Sequence, residues 1–192
     1  MRKVLQWVLV AGLAAASAMT AMALPASPDR DTQSSTIQSQ DRIVREVRHE
    51  LVMLPQLSIF DNLEYKVDGN TVTLLGQVRH AVLKDEAQAA VKGIEGVEQV
   101  NNQIEILPVS FNDDRIRRQV ARALFNDARL FQYSIQPVPP IHIIVKNGHV
   151  NLEGVVRDQG DKDVAGIRTN GVPGVFSVQN DLQVEKPVQA RK

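Results

Sequence analysis

The stretch "GVEQVNNQIEI" (Gly96–Ile106) returns seventy-eight residues later as "GVFSVQNDLQV" (Gly174–Val184). Gly96/Gly174, Val97/Val175, Val100/Val178, Asn102/Asn180, Ile104/Leu182 and Ile106/Val184 agree, six of eleven positions. Such a match at a fixed offset is the signature of an internal repeat, and it governs how the rest of the chain is read. At the same offset "VDGNTVTLLGQV" (67–78) faces "VKNGHVNLEGVV" (145–156). Upstream, "DRIVREVRHEL" (41–51) faces "DRIRRQVARAL" (114–124) at an offset of 73, so the second copy carries five extra residues. They fall in "FQYSIQPVPPIH" (131–142), where Pro137, Pro139 and Pro140 preclude regular helix.

Within each copy the hydrophobic period changes in the same order. Ile43, Val47 and Leu51 recur at helical spacing behind Asp41, an N-cap residue type, and Pro55 sets the limit of that helix. "LEYKVDGNTVTLLGQV" alternates as two strands about the turn signal Asp68-Gly69-Asn70. "AVLKDEAQAAVKGIEG" reads as a second amphipathic helix, and "VEQVNNQIEIL" alternates again up to Pro108. The second copy predicts a helix over 114–126, strands over 141–146 and 149–157, a weaker helix in "GDKDVAGIRTNGVPG", and a strand over 175–184. Gly160, Gly166 and Gly171 lower helix propensity there, so that helix is expected to be shorter or more mobile than its twin. The expected fold class is α+β: two tandem small domains, each αββαβ, with a three-stranded mixed sheet covered on one face by two helices. The glycines read as folding punctuation: Gly69 and Gly148 in hairpin turns, Gly76 and Gly154 at bulges or close contacts within strands, Gly96 and Gly174 between helix and strand.

The remaining segments set the compartment. Residues 1–23, "MRKVLQWVLVAGLAAASAMTAMA", have two cations, an apolar run and a small-x-small end, the grammar of a secretory signal peptide cleaved after Ala23. A retained membrane anchor is the competing reading, since the apolar run is nearly long enough to span. Residues 24–40 are rich in Ser, Gln, Asp and Pro and read as a disordered leader. The domains are placed at 41–108 and 113–186, with 187–192 a loose tail. The chain has no cysteine, which excludes disulfides and a lipoprotein anchor and leaves packing alone to hold the fold. The expected location is the periplasm of a two-membrane organism. The whole chain is formally neutral, so a nucleic-acid binder is not expected. Residues 41–108 hold seven Lys/Arg against eleven Asp/Glu (−4), while 113–186 hold ten against nine (+1).

The sequence "VTLLGQV…KDEAQAAVKGIEGVEQVNNQIEI" resembles the BON domain, named for bacterial osmotically inducible periplasmic and nodulation proteins. The resemblance rests on Val72-x-Leu74-x-Gly76-x-Val78, the Ala-rich helix, Gly96-Val97 and Val100-x-Asn102. The second copy keeps all of these except the Ala-rich helix. With a tandem pair behind an export signal, the resemblance implies envelope association, phospholipid contact and a role in osmotic stress.

No catalytic motif, phosphate loop or metal-ligand set is present, so no enzyme, cofactor or metal is expected. His142 and His149 could approach across a hairpin, but nothing nearby completes a site. One surface stands out. In "DDRIRRQVARALFNDARLF" (113–131), Ile116, Val120 and Leu124 form the core stripe. At 100° per residue Arg115, Arg118 and Arg122 gather on the opposite side, with Arg117 flanking the stripe. Guanidinium groups suit phosphate oxygens, and Phe131 and Tyr133 beyond the helix are the residue types of a headgroup layer. Two readings stand: an ordinary solvated helix face, or a contact for anionic phospholipid. A further alternative for the protein is a periplasmic chaperone or protein-interaction module, with client or envelope proteins meeting exposed sheet edges and apolar loops such as "LPQLSIF" (54–60).

Overall fold

The computed structural model describes residues 30–185 apart from residue 137, with side chains from residue 39 onward. The signal segment, the first part of the leader and the terminal tail lie outside the described residues. The first domain runs α1 (Arg30–Val52), β1 (Asn62–Asp68), β2 (Thr71–Val78), α2 (Ala81–Lys92), β3 (Gln99–Asn102) and β4 (Glu105–Ile106). The second runs α3 (Phe111–Phe125), α4 (Phe131–Ser134), β5 (Ile141–Lys146), β6 (His149–Val156), α5 (Gln159–Asn170), β7 (Ser177–Asn180) and β8 (Gln183–Val184). The chain is α+β, with a mixed sheet in each domain.

In each sheet the hairpin is antiparallel (β1 with β2, β5 with β6), and the following strand returns parallel to its middle member. That third strand is interrupted: β3 and β4 both pair with β2, and β7 and β8 both pair with β6. The breaks lie opposite Gly76 and Gly154, which sit at φ +103° and +117°. A Cβ there would stand 2.1 Å from the Asn62 carbonyl oxygen or 2.0 Å from that of Pro140. Only glycine allows this close approach and left-handed backbone, and the local turn of the strand interrupts its neighbour's pairing just after the Gln103 and Asp181 amides bond the Leu74 and Leu152 carbonyls, both at 2.9 Å.

Asn102 and Asn180 bridge the breaks. Asn102 Nδ2 donates to the Lys84 carbonyl (3.0 Å) and its Oδ1 accepts from the Ile104 amide (3.2 Å), while Asn180 Nδ2 donates to the Lys162 carbonyl (2.7 Å). Ile104 and Leu182, inside the breaks, turn into their cores and are nearly inaccessible. The asparagine shared by the two copies therefore ties a broken strand to the helix above it.

Helix α1 departs from the sequence reading. It begins at Arg30, not near Asp41, so the last part of the expected leader is helical. No proline or glycine occurs between 30 and 52, and extending an existing helix costs far less than nucleating one. Helix α5 is not shorter than its twin; both have twelve residues. Asp158 caps α5 by accepting the Asp161 amide (3.0 Å), whereas His80 makes no such bond at α2. Gly171 is the C-cap, and Gly166, the one glycine well inside α5, leaves room for the Asn180 amide, 3.0 Å from where a Cβ would stand.

Two apolar cores form, one per domain, and the segment 54–60 joins them. Leu54 and Leu57 pack on the first core, whereas Ile59 and Phe60 pack on the second. The Ile143 amide donates to the Ile59 carbonyl (2.7 Å), so β5 takes a backbone bond from the first domain. Lys146 pairs with Glu105 (2.5 Å), and Arg79 reaches Asp114 (3.5 Å) while lying 5.6 Å from the Phe60 ring centre. The expectation of an exposed "LPQLSIF" loop is corrected accordingly: its second half is domain-junction filling. A core of about seventy residues is marginal alone, which gives each domain reason to cover the other.

Candidate functional site

Helix α3 is set by its own sequence. Ser110 accepts the Asp113 amide (3.2 Å) as N-cap, Ile116, Val120 and Leu124 are fully buried, and Asn126 closes the helix. The buried Asp113 carboxylate accepts the amides of Asn147 and Gly148, both at 2.9 Å, and so pins the β5–β6 turn to the helix.

On the outward side Arg115, Arg118 and Arg122 are all exposed. Arg115 donates to Asn112 Oδ1 (2.8 Å). The side chains of Arg118 and Arg122 have neither a hydrogen bond nor an ion pair among the described residues. The first domain shows what this surface lacks. There Arg42 meets Glu46 (3.4 Å) and Glu95 (3.2 Å). At the repeat offsets Arg42 corresponds to Arg115, and the two glutamates are replaced by Gln119 and Pro173. The two copies share the cation but not its neutralising partners.

Two nominated residues do not belong to this face. Arg117 is 3% exposed; it donates to Asp114 Oδ1 (2.7 Å) and to the Val145 carbonyl (2.5 Å), anchoring α3 to β5. The inward stripe is wide enough to include residue 117, and carbonyl and carboxylate partners make its burial tolerable. Tyr133 is 4% exposed, donating to Asp161 Oδ2 (2.5 Å) and accepting the Arg157 amide (2.9 Å). Its phenol pKa is pushed up to about 12, chiefly by desolvation. The fully buried Asp161 also takes the Arg129 Nε–H, so Tyr133 closes an internal polar knot. In the first domain Asp61 has the same task, accepting the Arg79 amide (2.7 Å). Phe131 alone of the two nominated aromatics is exposed.

The structure adds residues that the sequence reading passed over. Phe111 is 93% exposed one turn before Arg115. Phe176 is 78% exposed, packed beside Gly148 and with its ring centre 6.0 Å from that of His149. Ile167, 70% exposed, lines with Arg122, Arg168 and Pro173 a shallow hollow of about 460 Å³ between α3 and α5. Comparing the repeats position by position could have found two of them: Phe176 stands where the first copy has Glu98, and Ile167 where it has Ala89. Arg168 pairs with Asp127 (2.7 Å); the Arg129 backbone amide and then the Arg168 side chain hold the Asp127 carboxyl below its usual range.

His142 and His149 do not meet. They stand opposite Glu153 and Lys146 respectively, toward opposite ends of the hairpin. The six nominated glycines, Gly69, Gly76, Gly96, Gly148, Gly154 and Gly174, all have positive φ. Among the described residues no helix is long and apolar enough to cross a membrane.

Comparison with known proteins agrees with the repeat. "Osmotically-inducible protein Y" of Escherichia coli (strain K12) is 29% identical over 125 residues, 65% of this chain and 62% of that protein. "Outer membrane lipoprotein DolP" of Haemophilus influenzae is 33% identical over 114 residues, 56% of each. The chain thus spans less than two thirds of the length of either relative. The C-terminal domain of CdsD, the structural protein of the Type III secretion system of Chlamydia trachomatis, aligns over 75% of this chain and 98% of that domain at 11% identity. Its TM-score of 0.27 is too low to carry an argument. The BON domain matches twice, over residues 39–108 and 112–186, and with both copies folded as described the chain belongs to the BON-domain family.

Proposed function

We propose that this protein is a non-catalytic, exported component of the bacterial envelope whose second domain docks reversibly on anionic phospholipid, supporting envelope integrity under osmotic stress. The observation that carries the reading is the outward face of α3, where Arg115, Arg118 and Arg122 are exposed without acidic partners among the described residues, while Arg42, the counterpart of Arg115, is neutralised. Phe111 and Ile167 supply apolar groups on the same domain, the types that enter a headgroup layer. The export-signal pattern of residues 1–23 and the names of the two relatives support an envelope location.

Each cation near an anionic surface is worth about 1 kcal/mol, so the three arginines supply about 3 kcal/mol, roughly a hundredfold in affinity. Co-flotation with liposomes tests this. The chain is expected to float with vesicles containing phosphatidylglycerol, to remain below with neutral vesicles, and to be released by salt. Arg115→Ala/Arg118→Ala/Arg122→Ala is expected to abolish flotation. Absence of flotation on anionic vesicles at low salt would refute the docking role. The reading as a chaperone or protein-interaction module draws less support, since Ile59 and Phe60 of the apolar loop are engaged by the second core.

A further inference from the structure

Two hollows of about 270 and 300 Å³ open at the junction of the domains, away from the outward face of α3. They share Val52, Leu57, Val138 and His142 as walls. The first continues along Ile59 and the second beneath Arg48 and Tyr65. Four properties define what would fit. The lining is largely aliphatic, and uncovered apolar groups stand at or next to it: Val52 is 37% exposed, Val138 43% and Met53 64%. Among the described residues no acidic side chain lines either hollow. Arg48, at the edge of the second, is exposed and forms no hydrogen bond or ion pair among the described residues. His142 stands in the shared wall, its ring held by the Asp61 and Ser58 carbonyls.

We infer that this junction is a binding site for a single-chain fatty carboxylate, with its tail along Val52, Leu57 and Val138 and its head between Arg48 and the His142 ring. Each hollow is at or just below the lower bound of small-ligand pockets, about 300–1,000 Å³, which suits one slender chain and not a two-chain lipid. A carboxylate satisfies a guanidinium in a two-pronged contact. The opposite charge reverses the fit: a cationic amphiphile would meet Arg48 with no carboxylate to receive it. The site uses residues of both domains, so its ligand would fasten the junction, independently of any docking through α3.

The test is titration of the delipidated full-length chain with decanoate below its micelle concentration, followed by calorimetry and amide NMR. Decanol, with the same tail and no charge, is the comparison. Decanoate is expected to bind with shifts confined to the residues around Val52, Leu57, Val138 and His142. Val138→Trp, which fills the hollow from an exposed position, is expected to weaken binding at least tenfold; Val52→Trp fills it from the opposite wall if the first variant misfolds. Arg48→Gln is expected to weaken decanoate about tenfold and leave decanol unchanged, and Arg118→Gln/Arg122→Gln to alter neither. No saturable decanoate binding, or equal binding by a folded Val138→Trp variant, would overturn the site. Binding of unfolded apolar protein without decanoate would do the same.

Discussion

Replacing Gly154 by alanine places a methyl carbon 2.0 Å from the Pro140 carbonyl oxygen, at a residue whose φ is +117°. Neither problem can be relieved cheaply. The obstacle is main chain, and the same carbonyl accepts the Val155 amide at 3.0 Å. Holding a side-chain-bearing residue in that backbone region costs about 1–3 kcal/mol, and displacing the packed neighbour adds about 1–3 kcal/mol. The combined loss, about 2–6 kcal/mol, spans the whole core contribution of a domain this small, about 3–5 kcal/mol. With a urea slope of about 1.5 kcal/mol/M, the midpoint falls by roughly 1–4 M, which at the upper end leaves the second domain largely unfolded in buffer. Gly69→Ala is the control: its φ is +56° but a Cβ there would meet nothing within 4 Å, so only the left-handed backbone cost of about 1–2 kcal/mol applies. Urea unfolding by circular dichroism, with amide NMR to identify the unfolded domain, reads both. Equal midpoint losses in the two variants would refute the claim that the Pro140 contact, and not turn chemistry alone, dictates glycine at 154.

Two further outcomes follow from other contacts. Asn102→Ala removes the acceptor for the Ile104 amide and the donor to the Lys84 carbonyl, and should cost about 1–3 kcal/mol in urea unfolding, where a loss under about 0.5 kcal/mol would deny the asparagine its bridging role. Burial at the junction holds the His142 pKa below its ordinary 6.5, against the opposing pull of the Asp61 carbonyl, the Asp61 carboxylate and the Ser58 carbonyl. The unfolded chain therefore takes up a proton at His142 before the folded chain does. That contribution to stability is present above about pH 6.5 and is lost progressively as pH falls toward the folded value. The urea midpoint should drop more between pH 7.5 and 5 in the parent than in His142→Gln, and parallel curves would contradict the assignment.

Much of the architecture was legible because two copies of one pattern disclose period and register together. Strand alternation, the hairpin glycines and the core stripe Ile116/Val120/Leu124 depend on local spacing, which a sequence displays. Arg117 and Tyr133 were misread because their burial depends on partners far along the chain, the Val145 carbonyl and the Asp161 carboxylate. An arginine or tyrosine beside a charged run looks solvated until such partners are known. The same holds for Ile59 and Phe60, whose neighbours lie in the other domain. By contrast, Phe176 and Ile167 were within reach of a positionwise comparison, since each replaces a polar or small residue of the first copy.

For the docking proposed above, the Ile59–Ile143 bond and the Lys146–Glu105 pair bear on how the molecule would approach a charged surface. They fasten a first domain of −4 to a second of +1, so the docked pair carries a permanent charge asymmetry along its length. In the field of a negative sheet such a body experiences a torque as well as a force, and it turns its positive end forward before contact. Separate domains on a slack tether would lose this: the acidic one would be repelled on its own account and drag on its neighbour. Joined, its repulsion becomes a rudder.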